Sequence, residues 1–328
     1  MITYMQNGTK LDVPFINTNT ADFWIQEIDA ASDRYVYPGD EIQFEINSAL
    51  RSLRDKFQNI LFTDTNKYYA AATILPEFLL YGGYESSIDI TSEQYANLIN
   101  DLDDNKMPDI FRRIYLIDCE FLIDSLQNHI VGIESLFINY YMELAKIDLI
   151  KSEDGYANSI YMVTSNTVRY LSSTLESFFT KAYSTLDILC KITYELFNRH
   201  TKFDAYKKLK SANKLWGDRN SLSLPDVAGT IFEDCELTTT IESLRNEVVH
   251  NGTWELTPRA FAKVENNTII ERYMLFPDIS QGRLATVKNR KHFFGSTNKV
   301  NDCLKNIYTE LLQRILSTIN LLNSLEID

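Results

Sequence analysis

The residues best suited to chemistry lie in one hexapeptide of sequence RNEVVH, from Arg245 to His250. Arg245 carries a permanent cation whose bidentate fork can hold a phosphate. His250 carries an imidazole that can take and return a proton near neutral pH. Asn246 lies four residues before His250, so on a helix its amide could orient the imidazole or contact the phosphate. This set suits cleavage of a phosphodiester without a metal, and we predict Arg245, Asn246 and His250 as catalytic residues.

The spacing of the hexapeptide makes it difficult for one chain alone to direct Arg245 and His250 at the same phosphate. Residues 236–250 are typical of a helix, and Asn251-Gly252 is typical of its end, because both residues tolerate the left-handed conformation. Arg245 and His250 are then offset by roughly 140° around the helix axis. Two copies of the helix, packed across a symmetric dimer, would line one cleft with two arginines and two histidines. We therefore expect a homodimer with a composite site.

Ordinary structural roles remain the alternative for the same residues. A histidine in the last turn of a helix often bonds a backbone carbonyl. Arg245 could form a surface ion pair with Glu242 or Glu247, which is a common arrangement on helices. The joint presence of arginine, asparagine and histidine favours the catalytic interpretation over these alternatives.

The other histidines lack a comparable neighbourhood, and no zinc-like spacing links them. In the sequence KHFF, His292 could contact RNA together with Phe293 and Phe294, but buried aromatic rings are the preferred interpretation. We interpret three histidines as ordinary structural residues, namely His129, His200 and His292.

The net charge of −13 is unevenly distributed along the chain. Residues 1–150 contain 24 acidic and 10 basic residues, whereas residues 151–328 contain 21 acidic and 22 basic residues. Two segments are rich in Lys and Arg, residues 199–219 and residues 283–299. Such clusters can contact a phosphate backbone, although solvated surface faces are the alternative. The predicted substrate-binding residues are Lys207, Lys208, Lys210, Lys214, Arg290 and Lys291.

Composition and hydrophobic spacing predict a largely helical protein. The 11 Gly and 7 Pro are too few for an all-β fold rich in turns. Stripes of apolar residues at helical spacing recur in residues 41–62, 171–196 and 304–322. Thr91 or Ser92, followed by Glu93 and Gln94, indicates the start of another helix. Pro108 indicates the start of a long helical segment that is expected to break near Gly132. Residues 259–276 instead alternate apolar and polar residues around Asn266-Asn267, which predicts a β-hairpin. The polar segment 152–159 is a candidate boundary, so we expect an acidic, mainly helical domain at 1–152 and a second helical domain at 160–328.

Several classes of protein and site are disfavoured by the sequence. We expect no signal peptide, no membrane-spanning segment and a cytoplasmic location. The four cysteines show no paired spacing, so neither a zinc ribbon nor a disulfide framework is indicated. We expect no cofactor, and the absence of a spaced carboxylate and histidine set disfavours a metal-dependent nuclease.

The pattern Arg245-Asn246-x-x-x-His250, late in a predicted helix and preceded by a long amphipathic helix, resembles the motif of the HEPN superfamily. That motif is an arginine, usually a polar residue such as asparagine, three to five further residues and a histidine. The resemblance covers residues from about 160 to 328, and its detectable core is short. The predicted hairpin between the motif helix and the last helix departs from the pattern and leaves the subfamily open. Residues 1–150 resemble no domain that we can name.

The resemblance implies an all-α helical bundle that dimerises and cuts RNA without a metal, in a bacterial toxin–antitoxin or anti-phage defence system. RNA would be the substrate. The acidic N-terminal region would bind an antitoxin or a regulatory protein. The alternative is a non-catalytic helical scaffold of the same type that binds protein or nucleotide partners.

Overall fold

The computed structural model describes residues 2–4, 10–12, 26–29, 34–36, 39–75, 91–104, 107–149 and 155–326. These residues are largely helical, as the spacing of apolar residues predicted. The α-helices of the described residues are α1 (Gly39–Leu61), α2 (Thr65–Ile74), α3 (Ser92–Asp104), α4 (Pro108–Ala145), α5 (Asn166–Asn198), α6 (Glu236–Asn251) and α7 (Val300–Ser324). A 3₁₀ helix follows α5 at Trp216–Ser221.

The strands of the described residues form small antiparallel sheets. They are β1 (Ile2–Tyr4), β2 (Lys10–Asp12), β3 (Gln26–Asp29), β4 (Arg34–Val36), β5 (Ser159–Val163), β6 (Ala260–Glu265), β7 (Thr268–Met274), β8 (Ile279–Ser280) and β9 (Arg283–Leu284). The largest sheet has the order β5-β6-β7, and the others are the pairs β1-β2, β3-β4 and β8-β9. The N-terminal strands were not expected in a region predicted to be mainly helical.

The predicted hairpin is confirmed as the pair β6-β7. Asn266 and Asn267 connect the two strands, and both adopt positive φ angles, of 50° and 62°. Asparagine tolerates this conformation better than most residues, which explains why the turn forms here. Strand β5 joins the hairpin through the register of Ser159 with Val264, so part of the predicted boundary segment belongs to the sheet. Residues 152–154 of that segment lie outside the described residues.

Local signals at helix ends and faces are also confirmed. The backbone N–H of Thr91 donates to Gln94 Oε1 at 2.8 Å, and the N–H of Gln94 donates to Thr91 Oγ1 at 3.2 Å. This reciprocal capping box starts α3. On α5 the whole predicted apolar stripe is buried, comprising Leu171, Leu175, Phe178, Ala182, Leu186, Leu189 and Leu196.

The expected break near Gly132 is absent, because α4 is continuous from Pro108 to Ala145. A Cβ atom at position 132 would lie 2.0 Å from Cε of Lys181. The glycine therefore permits close approach of the Lys181 side chain to α4 and does not interrupt the helix.

The chain divides into two compact units, each of which is discontinuous in sequence. One unit comprises Met1–Ile46, His129–Ser184 and Val227–Thr318, and the other comprises Asn47–Asn128, Thr185–Asp226 and Ile319–Asp328. We call them the motif unit and the second unit, because the motif helix α6 lies entirely in the first. The division into domains at 1–152 and 160–328 stays a prediction, since it concerns which contiguous segment folds alone.

Candidate functional site

Helix α6 places the catalytic candidates in its last two turns. It ends at Asn251, and Gly252 follows with φ 91° and donates its N–H to the Val248 carbonyl at 3.0 Å. Glycine adopts a positive φ without steric cost, so the predicted end of the helix is confirmed. Ile241 and Leu244 are fully buried and fix the orientation of the helix in the motif unit.

The guanidinium of Arg245 is held by two neighbours. Its Nη1 donates a hydrogen bond to Asn246 Oδ1 at 2.9 Å. Its Cζ lies 4.6 Å from the ring centroid of Tyr183 on α5, a cation–π distance. No ion pair joins Arg245 to Glu242 or Glu247 in the described part of the chain. The side chain is therefore oriented by an aromatic ring and an amide, which leaves its charge unneutralised by a carboxylate.

His250 is exposed in the last turn of α6, and no hydrogen bond of its ring is found among the described residues. Asn246 was expected to orient this imidazole. Its amide oxygen instead accepts from Arg245, and within the described residues no hydrogen bond joins Asn246 to His250. The imidazole is thus accessible to a ligand and not fixed by the amide.

One face of α6 is followed by the segment 279–292, which we call the α6 loop. Gly282 lies against Thr239, since a Cβ atom on that glycine would lie 2.7 Å from the Thr239 Cβ. Further along, the N–H of Leu284 donates to Ser243 Oγ at 3.2 Å. The loop then reaches Glu247. These three positions are spaced by four residues and share one helix face, so the loop runs along α6 toward its C-terminal end.

At that end, two basic side chains of the α6 loop converge on one carboxylate. Lys291 Nζ donates to Glu247 Oε2 at 3.0 Å, and His292 Nε2 lies 2.9 Å from Glu247 Oε1. The Glu247 side chain is only 5% exposed, whereas those of Lys291 and His292 are 42% and 35% exposed. A buried carboxylate therefore holds two partly exposed basic groups one helical turn before His250.

Burial by itself raises the pKa of Glu247, because it disfavours the charged carboxylate. Hydrogen bonds from Lys291, His292 and Asn251 act in the opposite direction and outweigh burial, so the pKa of Glu247 lies below its ordinary value. Glu247 is therefore ionised at neutral pH and offers a fixed negative charge to the two basic side chains.

The α6 loop also exposes a further cation. A tight turn links Val287 and Arg290 by two reciprocal backbone hydrogen bonds of 2.9 Å. Lys288 and Asn289 occupy its central positions with φ angles of 48° and 65°. Arg290 is exposed and forms no ion pair within the described residues. Of the predicted substrate-binding residues, the structure thus brings Arg290 and Lys291 into the same unit as the catalytic candidates.

The four lysines predicted from segment 199–219 lie in the second unit, and three of them are engaged within it. Lys207 pairs with Asp204 at 2.7 Å. Lys210 Nζ donates to the carbonyl of Arg199 at 3.3 Å, and Lys214 Nζ lies 4.6 Å from the ring centroid of Tyr194. In the described residues, the exposed ammonium of Lys208 has no such partner.

Sequence reasoning did not predict the contact between His292 and Glu247. His292 was interpreted as ordinary, and Glu247 was considered only as a partner of Arg245. Their contact joins residues 45 positions apart, which no local pattern signals. Buried rings were preferred for the KHFF segment, and this is wrong for Phe293, which is 37% exposed. A positive φ of 65° at His292 turns the backbone so that the imidazole meets α6.

Across the described residues, no group of three or more His, Cys, Asp or Glu is arranged to hold a metal ion. None of the helices in this part of the chain combines the length and apolar character needed to cross a membrane. No family model, curated protein or solved structure matches the chain.

Proposed function

We propose that this protein is a metal-independent endoribonuclease of HEPN type, acting as a cytoplasmic homodimer in a bacterial toxin–antitoxin or anti-phage defence system. The observation that carries the proposal is the exposed imidazole of His250 at the end of α6, on the same helix as the guanidinium of Arg245, which pairs with no carboxylate among the described residues. Lys291 and Arg290 add positive charge from the loop along that helix. This combination suits the binding of a polyanion and a cleavage reaction that requires proton transfer.

The proposed reaction uses the ribose 2′-hydroxyl as the nucleophile. Its oxygen attacks the adjacent phosphorus, and the bond from phosphorus to the 5′-oxygen breaks, which leaves a 2′,3′-cyclic phosphate and a 5′-hydroxyl. His250 serves as general base or acid. Arg245 stabilises the charge that develops on the phosphoryl oxygens. Asn246 holds the guanidinium through its amide oxygen. DNA lacks the nucleophile and is not cut by this route.

Substrate binding is assigned first to the α6 loop. Arg290 is exposed and has no ion pair with any described residue, and Lys291 is partly exposed beside the motif helix. Among the remaining predicted lysines, Lys208 is the most available to a ligand, because no described residue engages its ammonium. The other three have their charges partly satisfied by the protein and contribute less.

The geometry of α6 supports the proposal of a homodimer. The ring of Tyr183 holds Arg245 on one side of the helix, and His250 is offset from it around the axis. Two α6 helices related by a two-fold axis would place the arginine of each chain beside the histidine of the other. The acidic region 1–152 is proposed to bind an antitoxin or regulatory protein, since its charge disfavours RNA.

The test is cleavage of single-stranded RNA in EDTA by wild type, Arg245→Ala and His250→Ala, with identification of the product ends. The expected result is 2′,3′-cyclic phosphate and 5′-hydroxyl ends from wild type, and losses of about 100-fold or more in both variants. Cleavage that EDTA abolishes, or 5′-phosphate ends, would refute the metal-independent mechanism.

A non-catalytic scaffold is the second candidate, and one observation favours it. Arg245 already contacts Tyr183 and Asn246, so its guanidinium has a structural role without any ligand. A scaffold requires no imidazole at His250. Equal RNA cleavage by wild type and both alanine variants, or no cleavage by wild type, would favour this function.

A further inference from the structure

Cleavage by 2′-hydroxyl attack requires two proton transfers, one from the nucleophile and one to the leaving 5′-oxygen. Within one chain, the motif supplies a single imidazole, His250. His292 is not part of the motif, but it contacts Glu247 on α6, and Glu247 and His250 are three residues apart. Side chains with that spacing are neighbours, with Cβ atoms about 5–6 Å apart. A second imidazole of the same chain therefore contacts the residue that is the helix neighbour of His250.

The surroundings of His292 differ from those of His250 in one chemical respect. Nε2 of His292 lies 2.9 Å from Oε1 of the buried Glu247, whereas His250 has no acidic partner among the described residues. A carboxylate beside an imidazole fixes its orientation and stabilises the imidazolium through a charge-assisted hydrogen bond. His292 is also 35% exposed, and its Nδ1 has no hydrogen bond partner within the described residues. Nε2 of His292 is thus bound to Glu247, and Nδ1 remains accessible to a ligand as far as the described residues show.

We propose that His292 is the general acid of the reaction and His250 the general base, an inference that rests on the proposed ribonuclease function. His250 takes the proton of the 2′-hydroxyl as the oxygen bonds to phosphorus. The bond from phosphorus to the 5′-oxygen breaks, and His292 Nδ1–H gives its proton to that departing oxygen. His292 keeps its Nε2–H on Glu247. His250 leaves the step protonated and His292 neutral, and solvent restores both.

The test uses two RNA oligonucleotides that differ in one atom. In the second, sulfur replaces the 5′-bridging oxygen at the scissile position, and a thiolate leaves without needing a proton. His292→Gln keeps an N–H donor for Glu247 but cannot act as an acid. His200→Gln is the matched control, because His200 Nε2 also makes one hydrogen bond, to the carbonyl of Lys208, in the second unit.

The expected result is that His292→Gln slows cleavage of the oxygen substrate by about 100-fold or more but cleaves the sulfur substrate at nearly the wild-type rate. His250→Gln should be slow on both substrates, and His200→Gln should match wild type. Equal losses on both substrates in His292→Gln, or no loss on either, would overturn the role of His292 while leaving the ribonuclease function intact. Failure of wild type to cut either substrate would refute the ribonuclease function and this inference together.

A measurement on wild type alone covers the case in which His292→Gln does not fold. The cleavage rate of the oxygen substrate should fall at high pH, where the acid loses its proton, and this fall should disappear with the sulfur substrate. Glu247 from α6 and Lys291 from the α6 loop are the charged groups placed at His292. Identical high-pH profiles for the two substrates would contradict the assignment.

Discussion

Each of the two basic segments is attached to a helix through one buried glutamate, but the attachments differ. Glu195 on α5 is fully buried and accepts hydrogen bonds from the Tyr115 hydroxyl and from the backbone N–H groups of Lys210 and Ser211. Glu247 on α6 instead receives the side chains of Lys291 and His292. The first glutamate fixes a backbone, whereas the second gathers basic groups that remain partly exposed.

The difference shows that counting Lys and Arg does not reveal which cations can meet a ligand. Segment 199–219 has more basic residues, yet Lys207, Lys210 and Lys214 are engaged by an acid, a carbonyl and a ring. In the α6 loop, Arg290 is exposed and pairs with no acid in the described part of the chain, and Lys291 shares the Glu247 carboxylate with the His292 imidazole. We infer a structural role for the first attachment and a functional role for the second.

The largest expected effect on stability comes from Glu195→Ala. It leaves two buried donors and one partly buried donor without their acceptor, and each buried group costs about 1–3 kcal/mol. We expect the free energy of unfolding, measured by urea titration, to fall by ~3 kcal/mol or more. Lys263→Ala, which removes only an exposed ion pair with Glu265, is the control and should change stability by less than about 1 kcal/mol. A Glu195→Ala protein as stable as this control would refute the structural role.

A smaller loss of stability is expected when low pH protonates Glu247. Its pKa lies below the ordinary value of 4.5, so its contribution to stability is fully present above that value and is lost as pH falls through the lower folded pKa. Urea titrations from about pH 6 to about pH 3 should show wild type losing more stability than Glu247→Gln. Parallel losses in the two proteins would mean that Lys291 and His292 do not stabilise the ionised carboxylate.

The smallest expected effect concerns RNA affinity. Arg290→Ala should make the affinity less dependent on salt. The steepness of the fall of log affinity with log salt concentration should decrease by about 0.7, the value for one phosphate contact on a single strand. Lys207→Ala should reduce it less, because its ammonium is paired with Asp204. Lys263→Ala again serves as the control. Binding measured by fluorescence anisotropy at several salt concentrations gives the slopes, and a larger change for Lys207→Ala than for Arg290→Ala would reverse the comparison.

The parts of the fold that the sequence predicted are those with local signals. Gly252 ends α6, Asn266-Asn267 turns the hairpin, and the Thr91 and Gln94 side chains cap α3. Each of these features depends on residues within about four positions of one another. Strand β5 was missed because its partner β6 is about 100 residues later in the chain.

The same limit applies to the candidate site. The catalytic candidates were identified because Arg245, Asn246 and His250 lie within one hexapeptide. The contact of His292 with Glu247 depends instead on the path of the α6 loop, and that path requires Gly282 to approach Thr239 with no side chain between them. The sequence around Gly282 and His292 contains no pattern that predicts this contact.

The most direct test of the ribonuclease proposal compares two histidine variants, one in each unit. Purified wild type, His250→Gln and His200→Gln are incubated with single-stranded RNA in EDTA, and the rates of cleavage are measured. Wild type and His200→Gln are predicted to cut at equal rates, and His250→Gln about 100-fold to 10,000-fold more slowly. Cleavage by His250→Gln at the wild-type rate would contradict the assignment of this imidazole to the chemistry.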